Sequence, residues 1–243
     1  MSKSSPKILI AQMGTELSIR SVNLEKSLKI AVLAGGLAAI SSAAFAEATI
    51  SVYGGANFSP HSRVKTTGTG APDTNNLVGW DGASFKMPPY YGVRATWWLD
   101  QMPEVGLAID FTHAKVVASP LPAGFTKLEF TDGINFLTAN ALYRYDMGNG
   151  FTPYAGIGAG LTIPHVEVEG PAVNNTSTLE YQATGFAGQA FIGVDYKLDD
   201  NWSVFGEAKS TIGMVDADLN GGGKLSTRII SNQIIVGVTY KLF

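Results

Sequence analysis

Phe151-Thr152-Pro153-Tyr154-Ala155-Gly156-Ile157-Gly158-Ala159-Gly160-Leu161-Thr162-Ile163 changes character at every second residue. Phe151, Ala155, Ile157, Ala159, Leu161 and Ile163 fall on one face of an extended chain. Thr152, Tyr154 and the three glycines fall on the other. A period of two marks a strand whose faces meet unlike surroundings, whereas a helix would repeat near 3.6. Glycine on the less apolar face points to a confined space on that side.

The same alternation recurs on both sides of this stretch. Upstream, Ile50, Val52, Ala56 and Phe58 oppose Ser51, Tyr53, Asn57 and Ser59, and Tyr91, Val93, Ala95, Trp97 and Leu99 oppose Gly92, Arg94, Thr96 and Trp98. Val105, Leu107, Ile109 and Phe111 then oppose Gly106, Ala108, Asp110 and Thr112. A fourth strand is expected over 127–145, with Leu137, Ala139, Ala141, Tyr143 and Tyr145 opposite Thr138, Asn140 and Arg144. Downstream lie Phe186, Ala190, Ile192, Val194, Tyr196 and Leu198 against Gln189, Gly193, Asp195 and Lys197. Trp202, Val204, Ala208 and Ile212 oppose Ser203, Glu207 and Lys209, and Ile234, Val236, Val238, Tyr240 and Leu242 form the last apolar face. Eight strands result.

Their connections alternate in length. Tight turns are expected at 100–103, 146–150 and 199–201, and long loops near 60–88, 116–126, 164–178 and 214–224. Eight antiparallel strands with turns at one end and loops at the other describe an all-β transmembrane barrel of the outer-membrane type. Trp97, Trp98, Tyr143, Tyr145, Tyr196, Trp202 and Tyr240 gather toward the tight turns, as an interfacial aromatic girdle would. A soluble lipocalin-like barrel would put charges outside and apolar residues inside. Here Arg94, Asp110, Arg144, Glu207 and Lys209 share the face of the glycines and threonines, so charges point inward and lipid covers the apolar face. Interior ion pairing is the expected fate of those charges.

Composition agrees with that solvent. Charged residues are 15% of the 243, against about a quarter in soluble proteins. The absence of cysteine excludes disulfides, thiolate catalysis, iron–sulfur clusters and zinc fingers. A formal charge of −3 gives no nucleic-acid-binding surface. An apolar run at 30–40 follows Lys26 and Lys29 and precedes Ala44-Phe45-Ala46, the pattern of a signal peptide cleaved after Ala46. The expected organisation is a leader at 1–46 and a barrel at 47–243, in the bacterial outer membrane, with loops extracellular and termini periplasmic.

All three histidines fall at the loop-side ends of strands: His61, His113 and His165. Glu129, Asp132, Glu167 and Glu169 fall at the same level. Imidazole and carboxylate together serve proton transfer, and His61, His113 and His165 together are candidate ligands for a divalent or redox metal. Strict alternation sends His61 inward and His113 and His165 outward, unless Pro164 or a bulge reverses His165. Three unrelated rim histidines is the plain alternative. Arg63, Lys65, Lys86, Lys115 and Lys127 share the loop-side half and suit the phosphates of a glycolipid. Gly221-Gly222-Gly223-Lys224 is no phosphate loop, since Leu225 follows and no strand–loop–helix surrounds it. No Rossmann fingerprint is present either.

Several blocks carry a further signal. These are Ser59-Pro60-His61-Ser62-Arg63-Val64, Gly79-Trp80-Asp81-Gly82, Phe85-Lys86-Met87-Pro88-Pro89-Tyr90-Tyr91-Gly92-Val93-Arg94-Ala95-Thr96-Trp97-Trp98, Phe111-Thr112-His113-Ala114-Lys115, Leu128-Glu129-Phe130-Thr131-Asp132-Gly133 and Pro164-His165-Val166-Glu167. Together they resemble the lipid A oxidases of rhizobial outer membranes. The resemblance implies an enzyme that oxidises the proximal glucosamine of lipid A to 2-aminogluconate, with dioxygen as co-substrate and hydrogen peroxide released. All three histidines lie within these blocks. On this reading His61, His113, His165, Glu129 and Glu167 are the candidate catalytic residues, and Arg63 and Lys86 hold substrate phosphates. The partner is lipid A or lipopolysaccharide in the outer leaflet, and the barrel is expected to be monomeric. The competing class is a non-enzymatic barrel with a structural or adhesive role.

Overall fold

A computed structural model describes residues Phe45–Phe243. The expected leader at 1–46 lies outside them except for its last two residues. Twelve strands follow in order: β1 (Phe45–Thr67), β2 (Thr74–Asp81), β3 (Tyr91–Leu99), β4 (Val105–His113), β5 (Val116–Ala118), β6 (Lys127–Phe130), β7 (Ile134–Arg144), β8 (Phe151–Glu169), β9 (Ser177–Tyr181), β10 (Gly185–Lys197), β11 (Trp202–Asp218) and β12 (Lys224–Lys241). Eight of them, β1, β3, β4, β7, β8, β10, β11 and β12, pair antiparallel in that order, and β12 pairs back to β1. This closed ring is the barrel that the alternation predicts. Closure leaves no unpaired edge, which is what a hydrocarbon solvent requires.

The outward face of this ring is apolar. Val52, Leu107, Tyr143, Ile157, Ile192, Ile234 and Val236 are all exposed. Phe151 stacks near Tyr196, and Trp202 near Tyr240, at the tight-turn end, with ring centroids 4.7 Å apart in both pairs. Trp98 is not part of that girdle. It points inward, 7% exposed, with the Arg144 guanidinium 3.9 Å over its ring. Its strand alternates strictly, so Trp97 and Trp98 must face opposite sides.

The interior holds a closed polar network. Arg94 donates two hydrogen bonds to Glu207 at 2.7 and 2.8 Å and a third to Asp110 at 3.1 Å. Lys209 donates to Asp110 at 2.8 Å, and the Tyr53 hydroxyl donates to Asp110 at 2.6 Å. Tyr154 donates to Glu207, and Gln189 links Asp110 to Asn140. Glycine makes the room for these long side chains. A Cβ on Gly92 would fall 2.0 Å from the Tyr53 ring, and one on Gly156 would fall 2.3 Å from Phe191.

The long loops expected at 60–88, 164–178 and 214–224 are about half strand, and the one at 116–126 opens with the short β5. β1, β8, β11 and β12 continue past the ring, and β2, β5, β6 and β9 pair with them to form a collar. The single strand expected over 127–145 is two strands: β6 belongs to the collar and β7 to the ring, with a turn at 131–133. On the wall between β1 and β8, therefore, β3–β4–β7 give way to β2–β5–β6. Between β9 and β11 the collar is joined by a side chain. Gln182 donates to the Asp218 carbonyl at 2.8 Å and accepts from the Asp218 amide at 2.9 Å, mimicking a strand.

The collar inverts the polarity of the ring. Val64, Val78, Val116, Leu128, Phe130, Val166, Val168, Leu225 and Ile229 point inward and are fully buried. Ala172 and Val173, in a 3-10 turn, and Phe125 join this core. Charged and polar side chains make up most of the outer face, with Leu77, Leu179 and Met214 as apolar exceptions. Above the ring, water has replaced lipid as the outer solvent.

Candidate functional site

The turn at 131–133 sits where β6 of the collar hands over to β7 of the ring, and the polar side chains of the region converge around it. Gly133, at φ +113°, takes a backbone conformation that side-chain-bearing residues avoid, and a Cβ there would fall 2.5 Å from Nδ1 of His113. Its carbonyl accepts from the His165 amide at 2.7 Å. One tight turn thus lies against both His113 and His165.

On β8, Val166 and Val168 point into the collar core, so His165 and Glu167 point outward. β6 places Lys127 and Glu129 on the same outward face, and pairing sets Glu129 beside Glu167. β9 places Tyr181 opposite His165, with ring centroids 4.6 Å apart, and the Tyr181 hydroxyl donates to the Asp132 carbonyl at 2.6 Å. Nδ1 of His165 lies 3.1 Å from Oε1 of Glu167 and 3.7 Å from Oδ2 of Asp132. Thr131 donates to Glu167 at 2.7 Å, and Lys127 pairs with both Glu167 and Glu129. Burial alone would push the Glu167 carboxyl up, but the donors Lys127, Thr131 and His165 outweigh it and hold the pKa at about 2. Glu167 is therefore an anion at any physiological pH. The bond to Glu167 raises the Lys127 ammonium correspondingly.

Asp132, His165 and Glu167 each offer one ligand atom, and these atoms lie within 4.8 Å of one another. One nitrogen and two oxygens form a donor set that suits a divalent first-row metal. The expected set of three histidines is not assembled. His61 is exposed on the outward face, over Gly79, and is not drawn inward as alternation predicts. The bulge between Phe58 and Val64 shifts the register of β1 and turns it over.

His113 keeps the outward direction that alternation gives it but is buried at 3% exposure, stacked on Tyr91 at 4.9 Å. Its Nδ1 lies 2.8 Å from Oδ1 of Asn135, whose Nδ2 donates to the Ile163 carbonyl. With Nδ2 so engaged, Oδ1 is the atom facing the ring, so Nδ1 of His113 carries the proton. Nε2 then bears the lone pair, and it meets no partner among the described residues.

The two cations assigned to phosphates part company. Lys86 lies between Phe85 and Met87, each 83% exposed, in a segment braced by Lys115, which donates to the carbonyls of Lys86 and Met87 at 3.2 and 2.7 Å. That segment runs just before β3, whose Tyr91 carries the His113 ring. Arg63, on β1, is separated from β8 around the wall by β2, β5 and β6. Thr131, Asn135 and Tyr181 are site residues that alternation and motif spacing do not reveal. They are common polar residues brought in by register alone.

Comparison with known proteins bears on the fold. No curated protein sequence matches this chain. OprG of Pseudomonas aeruginosa is 13% identical over 82% of this chain and 97% of its own, with a TM-score of 0.46. Neisserial surface protein A is 13% identical over 78% and 96%, at 0.40. Ail, the attachment invasion locus protein of Yersinia pestis, is 14% identical over 78% and 97%, at 0.34. The model of the outer membrane protein beta-barrel domain matches residues 30–241. With the closed ring, its apolar exterior and its internal ion pairs, that match makes this chain a member of the outer membrane protein β-barrel family, embedded in the bacterial outer membrane.

Proposed function

We propose that this protein is a monomeric outer-membrane lipid A oxidase whose site opens sideways to the lipid. In this reading the collar faces the cell exterior and the tight turns face the periplasm, as short turns do in such barrels. The observation that carries the reading is the cluster of His165, Glu167 and Asp132 on the outer side of the wall, Asp132 exposed and the other two buried beneath it, at the level where the wall's surface changes from apolar to polar. A lipid in the outer leaflet presents its sugar headgroup at that level, while its chains lie along the ring below. Phe85 and Met87 supply apolar contact beside the site, and Lys86 supplies charge for a headgroup phosphate.

The substrate is a hemiacetal at the anomeric carbon of the proximal glucosamine. Its oxidation removes the anomeric C–H hydrogen and the hydroxyl proton with two electrons. Dioxygen accepts both electrons and leaves as hydrogen peroxide, and water opens the lactone to 2-aminogluconate. His165, with Nδ1 held by the Glu167 carboxylate, takes the hydroxyl proton on Nε2, and Glu167 stabilises the imidazolium that forms. His113 is set back from the surface with its Nε2 buried, and takes no part in this step. In a metal-bound form, Asp132, Glu167 and Nδ1 of His165 would instead hold a divalent metal, which when bound supplies a means of activating dioxygen, and His165 would then be a ligand and not the base. Lys127 holds Glu167 as an anion and also pairs with Glu129, while His61 and Arg63 lie outside this arrangement.

Purified protein in detergent, incubated aerobically with lipid A bearing a free anomeric hydroxyl, should add one oxygen atom to the lipid and release peroxide. His165→Gln and Glu167→Gln should abolish the product while the barrel stays folded, and His61→Ala should retain it. No product from wild type, with or without divalent metals, would leave the non-enzymatic barrel as the better account.

A further inference from the structure

A second patch lies on the other side of the wall, where β1 meets β12. Val64 and Thr227 pair and point inward, so the residues flanking them point out: Arg63 and Lys65 on β1, and Arg228 on β12. Lys65 pairs with Ser226, two residues along β12 from Arg228, and Arg63 lies next to Val64 where the β1–β12 register shifts. Among the described residues none of these three cations forms a salt bridge. Arg63 reaches only Oδ1 of Asn75, at 3.5 Å. Like charges side by side on adjacent strands repel, and a barrel gains nothing from holding them there unpaired. The acidic residue bordering the patch, Asp216, pairs in register with Ser226 and lies one strand beyond Lys65.

The surroundings say what the charges would meet. Leu77, paired with Arg63, is 62% exposed, Phe58 on the same strand is 61% exposed, and Met214, paired with Arg228, is 41% exposed. Phe58 pairs with Asn232, which bonds Ser210, and past this polar step the outward face runs on through Ile234, Val236 and Val238 to the tight-turn end. The cations thus stand above an apolar belt, with Asn232 and Ser210 between the two. That is the spacing of a lipid, with an anionic headgroup at the cations and acyl chains on the belt. Guanidinium groups suit phosphate in particular, because their paired N–H donors match its oxygens.

We propose that Arg63, Lys65 and Arg228 form a binding site for the phosphorylated headgroup of a membrane lipid, separate from the His165–Glu167 cluster. A lipid held here is retained on the wall rather than turned over, because neither histidine of the cluster lies within this face. The site rests on the membrane level proposed above but not on the oxidase reading, and its test uses no oxidation.

The full chain is reconstituted in nanodiscs containing bis-phosphorylated lipid A on both faces, and in nanodiscs containing the same lipid without phosphates. Native mass spectrometry after release counts the lipid molecules retained per barrel. Wild type should retain one more phosphorylated lipid than the triple variant R63Q/K65Q/R228Q, and no more of the dephosphorylated lipid. Retention by the triple variant should fall about tenfold, as expected when several charge-assisted hydrogen bonds are lost. Thermal unfolding gives a second readout: phosphorylated lipid A should raise the wild-type Tm, and this rise should shrink in the triple variant and in high salt. Equal retention of phosphorylated lipid by wild type and triple variant, or equal retention of both lipids by wild type, would overturn the proposal. Should the triple variant fail to fold, R228Q alone must lower retention, and its failure to do so would overturn it equally.

Discussion

The membrane ring and the collar are continuous strands with opposite polarity. Along β8, Ile157 and Leu161 face out and are exposed, while Gly156, Gly158 and Thr162 face in. A few residues further along the same strand, Val166 and Val168 face in at 0% exposure, while His165 and Glu167 face out. Backbone pairing is alike in both regions, so the difference reports the solvent outside. In the ring, lipid rewards apolar side chains on the exterior, and polar groups pair within. In the collar, water surrounds the wall and the ordinary arrangement of a soluble barrel returns. Two charged clusters sit on opposite sides of this switch, and they differ in kind. Arg94, Asp110, Glu207 and Lys209 are sealed and paired with one another, with only Nε of Arg94 left without a partner among the described residues. The cluster around His165 is only partly covered: Asp132 is exposed at its edge, while His165 and Glu167 lie buried beneath.

The sharpest way to break the comparison is to open the sealed cluster. Arg94→Ala leaves Asp110 and Glu207 buried with a charge imbalance, and should cost about 3–5 kcal/mol in a denaturant titration of the folded barrel. Replacing Arg94 and Glu207 together by Met should cost much less, because no lone charge remains. Next in size is the exterior. Ile157→Arg, near the middle of the apolar belt, should destabilise the barrel in lipid by about 2–4 kcal/mol. Glu180→Arg, on the exposed collar, should stay within about 0.5 kcal/mol. Similar costs for both would deny the polarity switch.

A pH titration distinguishes the partly covered cluster. The Glu167 pKa is about 2 in the folded protein, below the value near 4.3 of an unfolded glutamate. Its ion pair therefore contributes its full stability above about pH 5 and loses it progressively as pH falls toward 2. The Tm difference between wild type and Glu167→Gln should shrink over that window and be flat from pH 6 to 8. The smallest effect belongs to the collar closure. Gln182→Ala removes both bonds to Asp218 and should cost no more than about 1 kcal/mol, with faster hydrogen exchange at the Asp218 amide.

Much of the ring is legible in the sequence, because a period of two can be counted. The outward positions of Val52, Leu107, Ile157, Ile192 and Val236, and the inward positions of Arg94, Asp110, Glu207 and Lys209, all follow from alternation. The collar is harder to read. Its strands β2, β5, β6 and β9 are short, β2 is half polar and β9 mostly polar, so residues 60–88 and 164–178 look like loops. The site inherits that difficulty. Glu129 and Asp132 can be placed at the right level, but the contact of Tyr181 with His165 depends on a pairing between β8 and β9 that no local pattern encodes. His61 fails for another reason: one bulge reverses every later side chain of its strand, and bulges leave little trace in composition.

The alternation of the chain by itself determined a closed eight-stranded ring with lipid outside and paired charges inside. It could do so because each residue's face depends only on its parity along a strand. The tertiary structure alone decided which of the polar residues beyond the ring meet. That depends on register between strands far apart in sequence and on the turn at Gly133, where the wall passes from β3–β4–β7 to β2–β5–β6. There, His165, Glu167 and Asp132 become one cluster, and His61 and Arg63 are carried to another part of the wall.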